Sequence, residues 1–380
     1  MNRYLSIDVL RGLIMIIMAI DHTIGNFGDP HPGEIALDAP FTFPGYTSLT
    51  SQWSRLITHL CAPGFQLLAG MGLALSVTRS RQQGVSEWLI TRDLLVRGTV
   101  LILMDIVLMG FVYQSPFLFL VLCCIGSCTL CFAVLRFLPK HVIGMVGMAI
   151  IGLAPWYAPR EVVFDNGIIS YLGNIWTNIS FPKDGWYAVM YPILPWLGIF
   201  ALGWWIGLIL SEHRNGERLT KESIGLIVAG LAMAITALVL RSMGIAYAER
   251  VPLNGATIFD SKFWLFAKYP PSLVFMLLTI GILLFLLGLL RNVDRLQKAP
   301  LWCQFISVYG RTALFFFVVH FYVLGIAAWM CGFIPGVQYE HRYSFATAYL
   351  VWAAVVLGLW PVCYGYDKLR QRYRSVLRYF

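Results

Sequence analysis

The sequence predicts an all-α integral membrane protein of about ten transmembrane helices with both termini in the cytoplasm, and three observations predict it. Only 12% of the 380 residues are charged and 58% are hydrophobic, whereas a soluble domain carries about 25% charged residues. Apolar stretches of about 20 residues, enough to cross the hydrocarbon of a bilayer, recur at 8–27, 53–78, 95–113, 116–137, 140–157, 187–210, 222–242, 271–290, 303–331 and 343–366. Lysine and arginine sort by side. With the N-terminus inside, eighteen fall on that side and seven on the other, most of the seven in long loops, where charge has less influence on orientation. The net charge of +9 therefore follows topology and is not read as a nucleic-acid surface. No long polar block interrupts the pattern, so residues 1–380 read as one polytopic domain.

The first stretch opens behind Met1-Asn-Arg3, like the basic start of a signal peptide, but it ends in Asp21-His22 without a small-residue cleavage site. It reads as a retained helix. Arg11 and His22 are eleven residues apart, almost three turns, which puts them on one stripe with Met15 and Met18 between them. An ionisable stripe at membrane depth is costly against lipid and faces a protein interior or a watery cavity. In the second stretch Arg55, His59 and Gln66 share a face, and Pro63 cannot donate to the His59 carbonyl, which predicts a kink below that histidine. Residues 79–94 read as an interfacial segment leading into the third span. Asp105, about eight residues deep in that span, is a lone carboxylate expected to orient an imidazole or to pair with Arg11 or Arg311.

Cys123, Cys124, Cys128 and Cys131 crowd the fourth span. Three of them share a helix face, a spacing compatible with a soft metal, but small packing residues are the reading adopted, and no metal is expected. The sixth stretch is expected to break at Tyr191-Pro-Ile-Leu-Pro195, and broken helices are tolerated where backbone lines a cavity. In the ninth, Arg311 to His320 echoes Arg11 to His22, although nine residues place the pair on opposite faces, with Tyr309 on the histidine's stripe. The long outer loops 28–52, 158–186 and 243–270, rich in Pro, Gly, Asn and aromatics, read as a folded lid. The basic tail from Lys368 reads as a juxtamembrane anchor to anionic lipid.

Depth gathers the candidates. At 1.5 Å per residue His22 lies roughly 20 Å from the inner end of its span, His320 similarly far along its own, and His59 roughly 9 Å below the outer surface. Three imidazoles thus reach one level, with Asp21 and two arginines nearby. The sequence contains no P-loop, dinucleotide-binding glycine pattern, HExxH or GxSxG. A nucleotide-bearing ligand would be held by scattered groups, for which Arg11, Arg311, Arg97 and Arg55 are the candidates, with Asp105.

The run Leu5-Ser-Ile-Asp8-Val-Leu-Arg11-Gly12 through Asp21-His22, the run Ile57-Thr-His59-Leu-Cys-Ala-Pro63-Gly-Phe, the segment Tyr191 to Gly198, and Gly310-Arg311-Thr-Ala-Leu-Phe-Phe to His320 together resemble the bacterial branch of the heparan-alpha-glucosaminide N-acetyltransferase family. The Arg-x10-His spacing is also similar to that of membrane acyltransferases that O-acylate surface glycans. The resemblance implies a multispan bundle in a bacterial cytoplasmic membrane. It would take an acyl group from cytoplasmic acetyl-CoA, as co-substrate, and deliver it to an amino or hydroxyl group of an extracytoplasmic sugar or glycan. In the lysosomal member the histidine assigned as catalytic lies in a loop beyond the first span, and the nearest counterpart here is His31. His22 and His31 therefore compete for that role.

On this reading His22 is the general base, since imidazole ordinarily titrates near neutral pH, and Asp21 or Asp105 orients it. His59 and His320 would position the acceptor or stabilise the thioester oxyanion. A homodimer is compatible with the sequence. Two other readings stay open: a transporter of a polar solute using the same histidines as a proton relay, and a structural or regulatory membrane subunit.

Overall fold

The structure, a computed structural model, describes residues 4–27, 48–110, 117–157, 167–180, 187–212, 216–332 and 343–373. Its elements in chain order are α1 (Leu5–Phe27), α2 (Leu49–Thr58), α3 (Cys61–Gln82), α4 (Glu87–Met104), β1 (Phe117–Phe119), α5 (Val121–Leu135), α6 (Lys140–Tyr157), α7 (Ile168–Thr177), β2 (Tyr187–Val189), α8 (Ile193–Ser211), α9 (Gly216–Ser242), α10 (Leu273–Leu290), α11 (Leu301–Arg311), α12 (Ala313–Met330) and α13 (Phe345–Arg372). The architecture is all-α apart from one small parallel ladder, in which Phe117, Leu118 and Phe119 pair with Tyr187, Ala188 and Val189. Six helical stretches among the described residues are long and apolar enough to cross a membrane: 49–82, 193–211, 218–242, 273–295, 313–330 and 345–372. Helices α1, α4, α5 and α6 occupy the other four expected stretches, and for these the crossing stays an expectation from sequence.

Local chemistry explains the boundaries. Ser48 caps α2 by accepting from the Ser51 N–H at 3.1 Å. The chain then breaks at His59-Leu60 and restarts at Cys61, so Pro63 falls in the first turn of α3, where its missing N–H leaves no helical bond unmade. The kink expected below His59 is thus a break at His59 itself. The segment expected at the interface joins the third span in one helix: Ser86 caps α4, which runs without interruption from Glu87 to Met104 and then widens into a π-helical turn, Asp105–Met109. The break expected inside the sixth span is instead a helix start, with Pro192 at the cap and Pro195 in the first turn of α8. Thr312, at φ −113° and ψ 28°, separates α11 from α12, so Arg311 and His320 stand on different helices and their spacing does not fix their relative faces.

At the end of the bundle rich in basic residues, ion pairs tie helix termini together. Arg291, fully buried, bridges Glu222 of α9 and Asp294, while Asp294 also accepts from Ser6 of α1, N–H at 3.0 Å and Oγ–H at 2.6 Å. Tyr4 donates to the Leu210 carbonyl, and Lys140 reaches Glu212. Beside this latch, α1 and α11 meet backbone to backbone: a methyl at Gly310 would overlap the Asp8 carbonyl oxygen and one at Gly12 would overlap that of Ile306. At the opposite end, Arg241 is buried and donates to the carbonyls of Phe263 (2.9 Å), Val251 (2.6 Å) and Lys262 (3.1 Å). These bonds fold the 243–270 loop onto the helices, as expected of a lid. Of the other two outer loops, residues 28–47, 158–166 and 181–186 lie outside the described residues.

Candidate functional site

Two helices meet through their histidines. His22, near the end of α1, and His320, in the middle of α12, approach with Nδ1 of the first 2.7 Å from Nε2 of the second. His320 Nδ1 lies 2.9 Å from the Phe316 carbonyl of its own helix. These contacts determine where the protons sit. A carbonyl only accepts, so His320 carries its hydrogen on Nδ1, and in the neutral ring Nε2 is then a lone-pair acceptor. His22 must donate from Nδ1, which leaves its Nε2 as the basic atom. Rings on both sides lock the pair: Phe316 stacks on His320 with centroids 5.1 Å apart, and Phe321 packs 4.1 Å from His22.

His22 lines a cavity of about 210 Å³, whose polar wall is completed by Asp21, Thr58, Tyr191, Lys268 and Tyr269. Met18, Phe65, Phe317 and Phe321 supply apolar surface. The volume is below the roughly 300–1,000 Å³ usual for ligand sites, a size suited to one small ring or acyl group. Asp21 does not orient His22. Its carboxylate accepts from Arg55 at 2.6 Å and from the Thr58 hydroxyl at 3.3 Å, which places Arg55 at the histidine end, away from Arg11 and Arg311. Tyr191 and Tyr269 share a hydrogen bond of 3.1 Å.

The remaining candidates lie elsewhere. His59, in the break between α2 and α3, packs against the rings of Phe275 (5.3 Å) and Phe266 (6.5 Å) and is not in the cavity wall. Two imidazoles meet, not three. Asp105 is fully buried and accepts the Cys123 N–H at 2.8 Å, a carboxylate set at the start of α5 where the helix dipole favours negative charge; its partner is neither an imidazole nor a guanidinium. Arg11 reaches toward the Gly310 and Leu68 carbonyls, each at 3.4 Å. Arg311 pairs with Asp367 and bonds Ser307, both at 2.7 Å. These two guanidinium groups flank Gly310, toward the basic end. Arg97 is exposed on α4, and His31 lies outside the described residues. No cluster of three His, Cys, Asp or Glu side chains suited to a metal occurs among the described residues.

Sequence reasoning missed Lys268, Tyr269 and Thr58. Lys268 and Tyr269 sit in a loop that carries no helical periodicity, and only their place beside two aromatic-rich spans hinted at a role. Their segment is anchored by Glu249, which accepts from the N–H groups of Val251 and Ala267, both at 3.1 Å, and from Ser272. Burial pushes the Glu249 carboxyl above its ordinary value, against the pull of these donors.

A family model described as "Heparan-alpha-glucosaminide N-acetyltransferase, catalytic" matches residues 3–237. The match takes in Arg11 to His22, Ile57 to Phe65 and Tyr191 to Gly198, and it stops before the helix that carries His320. No curated protein matches the chain.

Proposed function

The chain belongs to the heparan-alpha-glucosaminide N-acetyltransferase family, a family of membrane acetyltransferases, and on that premise we propose that it moves the acetyl group of cytoplasmic acetyl-CoA to an amino or hydroxyl group of an extracytoplasmic sugar or glycan. The observation that carries this reading is the His22–His320 pair, whose hydrogen bonding leaves a basic nitrogen at a cavity. As the acceptor attacks the thioester carbon, His22 Nε2 takes its proton. The imidazolium that forms keeps its Nδ1–H bond to His320, so His320 orients the base and shares its charge. Collapse breaks the carbon–sulfur bond, and the thiolate recovers a proton from His22, giving an amide or ester and free CoA. His22 is preferred to His31 because a tied Nδ1 and a cavity-facing ring fit a base.

Arg11 and Arg311, near the basic end, are suited to the CoA phosphates, with Arg97 as a third cation. The pantetheine arm would run between α1, α3 and α11 to the histidines. The whole chain, 1–380, acts as one polytopic domain with both termini in the cytoplasm, in the cytoplasmic membrane of a bacterium.

Protein purified in detergent, given acetyl-CoA and glucosamine, is expected to release free thiol. His22→Ala should lower the rate by about 10²–10⁴-fold, the usual weight of a general base. His320→Leu should lower it nearly as far, whereas His320→Gln, whose amide oxygen can accept from Nδ1, should recover a measurable part. Unimpaired turnover in His22→Ala would remove His22 from the reaction.

A further inference from the structure

A buried cation lines the same cavity as the proposed base, and no carboxylate among the described residues pairs with it. Lys268 is only 4% exposed and lines the same cavity as His22. Its Nζ makes no hydrogen bond or ion pair among the described residues and lies over the face of the Tyr269 ring, 5.0 Å from its centroid. The carboxylate that shares the cavity, Asp21, is engaged at 2.6 Å by Arg55. The lysine is also held firmly. Its backbone forms an antiparallel bridge with Pro271, and the residue before it is fixed at both its polar groups: the Ala267 N–H donates to Glu249 and the Ala267 carbonyl accepts from the Ser272 N–H at 2.9 Å. A buried ammonium without a counter-charge is expensive. With no counter-charge among the described residues, Lys268 is placed to meet negative charge that develops in the cavity it shares with His22.

We propose that Lys268 is a catalytic residue, stabilising the oxyanion of the tetrahedral intermediate formed when the acceptor adds to the thioester. This rests on the acyltransferase reading. The acceptor nitrogen or oxygen bonds to the thioester carbon, the carbonyl electron pair moves onto oxygen, and a Lys268 N–H donates to that oxygen while His22 holds the acceptor's proton. When the pair returns, the carbon–sulfur bond breaks and Lys268 is released unchanged. The charge exists only between the two steps, so a preorganised buried cation favours the intermediate over bound substrate.

The full-length protein in detergent tests this with acetyl-CoA and glucosamine. Lys268→Met should lower kcat by about 10²–10³-fold, the usual effect of removing one oxyanion donor, and leave KM for glucosamine within about twofold. Lys268→Arg should restore part of the rate. Because the lysine has no ion-pair partner among the described residues, Lys268→Met should melt at the same temperature as the parent or higher, which a structural ion pair would not allow. Wild-type kcat in Lys268→Met, a rise confined to KM, or a clear loss of melting temperature would each overturn the assignment while leaving the acyltransferase reading in place. A parent protein that released no thiol would sink both.

Discussion

At the scale of single residues, partners decide chemistry. His22 can serve as a base because its Nδ1–H donates to His320 Nε2, and His320 can accept there because its own Nδ1–H donates to the Phe316 carbonyl. The same logic gives Glu249 a testable signature. Burial raises its carboxyl pKa in the folded protein, so the folded state binds that proton more tightly than the unfolded chain and ionisation opposes folding. Its stabilising contribution is complete below the ordinary carboxylate pKa, near pH 4, and is lost as pH rises through the raised folded value. Glu249→Gln keeps an oxygen for Val251 and Ala267 but cannot ionise. Melting curves in detergent should show the variant gaining on the parent as pH rises from about 4 toward neutrality; a difference independent of pH would mean the carboxyl does not titrate there.

At the scale of elements, close approach of backbones sets the frame in which the histidines meet. Gly310 of α11 lies against the Asp8 carbonyl of α1 and Gly12 against that of Ile306, with no room for a methyl at either place. α1 carries His22, and α11 is followed across Thr312 by α12, which carries His320, so a wedge between α1 and α11 is transmitted to the pair. Gly310→Ala should cost about 1–3 kcal/mol, as overpacked cores do, read as a lower melting temperature. It should also lower acetyl transfer more than Ala substitution at Gly358, a glycine with open space around it. Equal effects at the two positions would disconnect that contact from the site.

At the scale of the molecule, the proposed direction of transfer depends on topology. The latch of Arg291, Glu222, Asp294 and Ser6 and the ion pairs of Lys140 with Glu212 and Arg311 with Asp367 gather at one end, the cytoplasmic end on the proposed topology. The histidine pair and the folded 243–270 loop stand at the other. Impermeant thiol labelling on a cysteine-free background in intact cells should modify Phe259→Cys, in a loop where the parent side chain is 96% exposed. Gln83→Cys, in the turn between α3 and α4, should react only after permeabilisation. The reverse pattern would invert the membrane orientation and with it the side from which acetyl-CoA arrives.

The sequence by itself determined the features that local rules dictate. Apolar length located the helices, because a hydrocarbon slab demands a fixed number of residues. Proline marked the starts of α3 and α8, because a residue without an N–H is tolerated in a helix's first turn. The cost of ionisable groups in lipid marked α1 as the wall of an interior site. Pairing lay beyond those rules. Asp21 was as reasonable a partner for His22 as His320, Asp105 as reasonable as either, and Lys268 carried no pattern at all. Those choices depend on how far each helix is rotated and slid against its neighbours. That register is fixed by contacts between distant parts of the chain, such as Gly310 on Asp8 and Arg241 on the 243–270 loop, so only the tertiary structure decided that His320 meets His22 and that a buried lysine lines the same cavity.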